Sequence, residues 1–152
     1  MTRLDVPAHP AYLRTVRASA WYDLAVTAGF VTPWTYALVH DALSALGEAL
    51  DWGTLPALDP WQILYANLMG SVVVVWAAVR IVRPLPVHGL FDGIARTLFS
   101  AWMAYALLNG VSRTLWLFLA LEVAWGVAQL APWVRNRRTG AGLGHRAGPL
   151  EH

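Results

Sequence analysis

The sequence has no cysteine and no lysine among its 152 residues. Without cysteine, disulfides, thiolate metal sites and cysteine nucleophiles are all excluded. Charged residues are scarce at 13% of the chain, whereas soluble proteins carry about 25%. Apolar residues make up 57%, more than a soluble domain of this size can bury, so the composition predicts an integral membrane protein. All eleven basic residues are arginine, which together with heavy use of Ala, Gly and Val indicates a bacterium with a GC-rich genome.

Four apolar stretches are long enough to cross a bilayer as helices, because about 30 Å of hydrocarbon requires about 20 residues. They cover residues 20–39, 61–82, 89–111 and 114–134. The third reaches this length only if residues 89–97 extend the shorter apolar run after them. Pro33 predicts a kink in the first stretch because proline removes a backbone donor. We therefore expect an all-α membrane protein whose transmembrane domain, residues 20–134, is a bundle of four helices.

Arginine positions predict the orientation of this bundle. Ten of the eleven arginines fall on one side when four spans are drawn, and only Arg113 falls on the other. The positive-inside rule places the ten, and both termini, in the cytoplasm. The expected location is the bacterial cytoplasmic (inner) membrane, with membrane lipids as partners.

The segments outside the four spans have their own predictions. Leu43, Leu46 and Leu50 share one helical face, which predicts a short interfacial helix on the outer leaflet after the first span. Residues 1–19 are expected to be a cytoplasmic or interfacial segment. The Gly-rich residues 135–152 are expected to form a disordered cytoplasmic tail, ending in residues typical of an expression tag.

Glu122 lies near the middle of the fourth span and is the most informative polar residue. An ionised side chain at that depth costs about 3 kcal/mol even on lenient insertion scales. We therefore expect a neutral, hydrogen-bonded acid that binds a proton or a ligand. The alternative is that Glu122 only holds helices together. Polar side chains expected to share a ligand- or proton-binding site with it are Asn67, Ser71, Tyr105 and Gln129.

Other polar residues predict structure more than chemistry. Asp23 in the first span and Arg96 in the third have similar depth and opposite charge, which predicts a structural ion pair. His40 and His88 fall on opposite sides of the membrane, which argues against bis-histidine haem. No metal-ligand spacing, cofactor motif or nucleic-acid-binding patch is present. We expect no metal, no cofactor and no nucleic acid.

Three classes of function remain open, and the sequence does not decide whether the protein is an enzyme. The first is a small membrane protein that binds or moves a lipophilic or cationic small molecule through Glu122. The second is an intramembrane enzyme that acts on a lipid, quinone or isoprenoid, with Glu122 as general acid. The third is a non-catalytic accessory subunit of a membrane complex.

The fourth span also predicts association with a second chain. Small side chains line one of its faces, and the opposite face carries Glu122; these small residues are Ala120, Ala124 and Ala128. A small-residue face allows close helix approach, and a Glu face is excluded from lipid. Four helices cannot readily cover both faces, so we expect a homodimer or a hetero-complex.

Overall fold

The computed structural model describes residues 10–144, with side chains described as far as residue 136. Within residues 10–144 the regular secondary structure is entirely helical. The five α-helices are α1 (Pro10–Thr27), α2 (Pro33–Ala49), α3 (Pro60–Val82), α4 (Pro86–Leu108) and α5 (Leu115–Gly144), and a 3-10 helix (Ala28–Phe30) follows α1.

Local sequence signals set the beginnings of three helices. Pro33, Pro60 and Pro86 each stand in the first turn of a helix, where the missing N–H costs no hydrogen bond. Asp59 caps α3, because its Oδ1 accepts a 3.0 Å hydrogen bond from the N–H of Gln62. The Gln62 side chain accepts one in return from the Asp59 N–H at 3.2 Å, which completes a capping box.

The first apolar stretch is two helices, and the single kinked helix that we expected is not present. α1 ends at Thr27, and the chain turns through the 3-10 helix before α2 begins at Pro33. Thr32 caps α2 by accepting a 3.2 Å hydrogen bond from the N–H of Thr35. Pro33 therefore starts a helix where it was expected to bend one. α2 combines the second half of the predicted span with the predicted interfacial helix.

The described parts of both terminal segments are helical. Residues 10–19 form the first half of α1 and pack into the bundle, with Tyr12 and Val16 buried. The Tyr12 hydroxyl donates to the Gln129 carbonyl at 3.0 Å and accepts from Trp133 Nε1 at 2.7 Å. At the other end α5 continues to Gly144, through part of the predicted disordered tail, whereas residues 1–9 and 145–152 lie outside the described residues.

The bundle is built from two antiparallel helix pairs. α4 packs along α5, α1 packs along α3, and α1 also contacts α4 and α5. Glycines allow close approaches: a Cβ on Gly70 would lie 2.8 Å from the backbone of Phe30, and one on Gly93 would lie 2.6 Å from Leu130. α2 covers the 3-10 helix and contacts α3.

Several polar and charged side chains are buried in the interior, and many large apolar side chains lie on the exterior. The buried polar or charged residues among those described are Ser19, Asp23, Arg80, Asp92, Arg96, Thr114 and Gln129. Large apolar side chains face outward along every α-helix; Trp34, Val82 and Leu108 are 77%, 83% and 87% exposed. Two helical segments, Pro60–Val82 and Leu115–Asn136, are long and apolar enough to cross a membrane.

Candidate functional site

Charged side chains from four helices meet inside the bundle. Asp23 comes from α1, Arg80 from α3, Asp92 and Arg96 from α4, and Glu122 from α5. We refer to these five residues as the charged cluster. Residues three and four apart share a helix face, so the spacing of Asp92 and Arg96 directs both side chains of α4 toward the same point.

Arg80 is fully buried and held by two carboxylates. Its Nη2 pairs with Asp23 Oδ2, and its Nη1 donates to Asp92 Oδ2 at 2.6 Å and to Ser19 Oγ at 3.0 Å. Burial of a cation without partners costs several kcal/mol of desolvation free energy. The two carboxylates offset that cost and hold α1, α3 and α4 together.

Arg96 bridges all three acidic residues of the cluster. Its Nη2 donates to Asp23 Oδ1 at 2.6 Å, its Nε to Asp92 Oδ2 at 3.2 Å, and its Nη1 to Glu122 Oε2 at 2.8 Å. The structure thus brings Asp23 and Arg96 into the pairing that their depths indicated. The sequence predicted a neutral Glu122 from its depth alone, and the structure places the Arg96 guanidinium beside it, with Nη1 2.8 Å from Glu122 Oε2.

The three carboxylates differ in how firmly they are held. Asp92 accepts five hydrogen bonds, donated by Ser19, Trp76, Arg80, Arg96 and Gln129. Glu122 accepts one from the described residues, at Oε2, and its side chain is 13% exposed, against 6% for Asp92. Glu122 is therefore the carboxylate that is most available to another partner.

The charged cluster contains one more acidic than basic side chain. With every member ionised, three carboxylates face two guanidiniums, a formal net charge of −1. Excess charge in a poorly solvated interior attracts a compensating ion more strongly than it would in water. One proton or one monovalent cation would neutralise the cluster.

A cavity of about 530 Å³ opens beside the charged cluster, within the range of about 300–1,000 Å³ typical of small-molecule sites. Asp23, Asp92, Arg96 and Glu122 line its polar end. Its walls are apolar and include five aromatic residues, so we call it the aromatic cavity; these residues are Phe30, Trp76, Phe99, Trp102 and Phe118. Trp102 on α4 and Val72 on α3 are 67% and 69% exposed, which places the rim of the cavity at the apolar surface of the bundle.

Of the predicted ligand-binding residues, Glu122 lines this cavity, whereas Asn67, Ser71, Tyr105 and Gln129 do not. Asn67 Nδ2 donates to the Phe30 carbonyl at 2.8 Å, and Ser71 Oγ to the Asn67 carbonyl at 2.7 Å. Tyr105 is 60% exposed at the bundle surface. Gln129 is fully buried and supports the cluster through 2.6 Å hydrogen bonds to Ser19 and Asp92. The rotation of each helix about its axis, which composition does not fix, separates these residues from the cavity.

Sequence reasoning missed Arg80 and Asp92 as members of the site. Arg80 was counted only as an inner-side arginine, although its long side chain reaches back into the bundle to Asp23 and Asp92. Asp92 precedes Arg96 by four residues, and this spacing on one helix could have indicated a paired polar face. Comparison of the chain with protein-family models, with curated proteins and with solved structures gives no match.

Proposed function

We propose that the chain is a multi-pass protein of the bacterial cytoplasmic membrane with four spans. The spans are α3, α4, the apolar part of α5, and α1 together with the 3-10 helix. Each has at least 21 residues, enough for about 30 Å of hydrocarbon. The apolar exterior and the charged interior of the bundle support this arrangement, because hydrocarbon excludes unpaired charge.

The same arrangement preserves the arginine asymmetry. Arg14 and Arg17 lie at the start of α1, Arg83 directly follows α3, and Arg135 lies beyond the middle of α5. In an antiparallel bundle these positions share one end, which the positive-inside rule assigns to the cytoplasm. Arg113, between α4 and α5, lies at the other end. α2 then lies on the outer side.

Within this topology, we propose that the protein binds a lipophilic monovalent cation in the aromatic cavity, with Glu122 as the binding carboxylate. The observation that carries the proposal is that three carboxylates and only two guanidiniums meet at the polar end of an apolar cavity with aromatic walls. The faces of Trp and Phe rings attract cations, by roughly 2 kcal/mol when water is excluded. An anion would instead meet three carboxylates with two guanidiniums already paired to them.

Ethidium, an aromatic monovalent cation, provides a direct test with purified protein. We expect saturable binding to the wild type, and a dissociation constant raised by about tenfold or more in Glu122→Gln, which corresponds to roughly 1.4 kcal/mol. Glu48→Gln is the matched control, because Glu48 is exposed on α2, away from the cavity. Equal affinity of Glu122→Gln and the wild type would refute the assignment.

The other two functional classes predict different binding results with the same purified protein. An enzyme that acts on a neutral lipid or quinone would bind a neutral aromatic compound with about the same affinity as ethidium, because the apolar walls of the cavity would dominate the affinity. An accessory subunit would show no saturable binding of either compound. Preference for the cation, lost in Glu122→Gln, distinguishes the proposed function from both.

A further inference from the structure

A second cavity lies on the other side of the Arg96–Glu122 pair. This groove of about 460 Å³ runs between α4 and α5 and is lined on α4 by Arg96, Thr97 and Ser100. Along α5 it extends from Glu122 through Leu130 to Arg135. The groove therefore continues toward the C-terminal part of α5.

The aromatic cavity extends in the opposite direction. Its lining continues to Ala106 near the end of α4 and to Leu115 at the start of α5. Of the residues that line the two spaces, Arg96 and Glu122 alone line both. The 2.8 Å ion pair between Arg96 Nη1 and Glu122 Oε2 is thus the wall between them. In the proposed topology, one space leads outward and the other leads inward.

We infer that the Arg96–Glu122 pair is a gate, and that the protein exchanges one proton for one lipophilic cation across the membrane. This inference rests on the proposed function and adds a path to the binding site. When Glu122 accepts a proton from the side of the groove, the carboxyl loses its charge and releases Arg96. When the cation arrives from the aromatic cavity, the carboxyl releases that proton through the cavity to the outer side and the cation takes its place. The cation then leaves through the groove, and a proton from the inner side replaces it.

The cluster can tolerate opening at this pair. Arg96 retains Asp23 and Asp92 when Glu122 is released, so no guanidinium is left unpaired. The other ionisable groups around Glu122 are Tyr22 and Asp23 on α1, Asp92 on α4, and Arg80 on α3, which pairs with Asp23. The Arg96 guanidinium carbon lies 5.9 Å from the centroid of the Tyr22 ring. A bound proton and a bound monovalent cation each leave the cluster neutral. Exchange is therefore electroneutral.

Closing the groove tests the inference without altering the binding site. Ser100 lines the groove, makes no hydrogen bond through its side chain within the described residues, and does not line the aromatic cavity. Ser71 is the matched control, because it is exposed on α3 and lines neither space. Ser100→Leu and Ser71→Leu therefore introduce the same side chain inside and outside the proposed path.

In proteoliposomes with an acidic lumen and a trapped pH-sensitive dye, external ethidium should release lumenal protons through the wild type. We expect Ser100→Leu to slow this release by about tenfold or more, since an apolar constriction blocks a pore, and to bind ethidium normally in detergent. Ser71→Leu should match the wild type in both assays. The release rate should not change when valinomycin and potassium impose a membrane potential.

The outcomes separate the two proposals. Wild-type binding without proton release, or unimpaired release through Ser100→Leu, overturns the gate and leaves the binding function standing. A release rate that follows the membrane potential also overturns it, because the exchange would then carry net charge. Absence of ethidium binding to the wild type overturns both proposals.

Discussion

Arg80 shows how much the interior depends on charge balance. It is fully buried and contacts Asp23, Asp92 and Ser19. Removal of one member of a buried ion network lowers the free energy of unfolding by more than the whole network contributes, because the remaining buried charges are left without a partner. In this cluster, loss of Arg80 would leave three carboxylates facing Arg96 alone.

Arg80→Met should therefore destabilise the protein by about 3–5 kcal/mol, the range found when a buried pair is broken. Thermal unfolding of the purified protein in one detergent measures the effect. Arg83→Met is the control, because Arg83 is exposed three residues away. Adding Asp23→Asn to Arg80→Met restores the original excess of one carboxylate and should recover part of the loss. Equal melting temperatures for Arg80→Met and Arg83→Met would contradict this account.

At the scale of the elements, α3 and the 3-10 helix approach each other closely at Gly70. A Cβ at this position would lie 2.8 Å from the Phe30 carbonyl carbon, and a backbone atom cannot rotate away as a side chain can. Gly126 on α5 is different, because a Cβ there would lie 3.6 Å from Arg96 Cβ, an ordinary contact. Alanine substitutions at these two glycines therefore distinguish a steric effect from an effect of helix propensity.

Gly70→Ala should destabilise by about 1–3 kcal/mol, as overpacking does. Gly126→Ala should be neutral or should stabilise by up to about 1 kcal/mol, since alanine is the better helix former. Thermal unfolding of both variants in the same detergent distinguishes them. If the two substitutions shift the melting temperature equally, the close approach of α3 to Phe30 is not a constraint.

How well each helix could be predicted from the sequence depended on what determines where it begins and ends. Length and apolarity correctly indicated helices over α3, α4 and the first part of α5, because these properties act over about 20 residues. The break before Pro33 was missed, since it depends on local capping by Thr32. Asp23 and Arg96 were matched by depth and charge. Arg80 was not, because the reach of a side chain from a helix end cannot be read from hydropathy.

At the scale of the whole molecule, the proposed four-span topology predicts on which side of the membrane each connection lies. The connection between α2 and α3 and that between α4 and α5 should lie outside, and the connection between α3 and α4 inside. The Ala-rich face of α5 is exposed, and its members are Ala120, Ala124 and Ala128. It leaves room for a second chain, and self-association remains a prediction.

Because the chain has no native cysteine, single cysteines can report this orientation without a background signal. Thr54→Cys and Ser112→Cys should react with a membrane-impermeant maleimide added outside intact cells, whereas Arg83→Cys should react only after the membrane is opened. The unmodified protein should not react at all. Labelling of Thr54→Cys and Arg83→Cys from the same side would show that α3 does not cross.

The distribution of the charged cluster over the helices also implies an order of assembly during biosynthesis. α1 emerges from the ribosome first and brings one uncompensated carboxylate, Asp23, which Arg80 of α3 neutralises. α4 brings Asp92 and Arg96 together and adds no net charge. The nascent bundle is thus balanced until α5 delivers Glu122. Of these five helices, the last to be synthesised brings the excess charge, so the bundle has a formally neutral interior before α5 and acquires the proposed binding carboxylate only when α5 is in place.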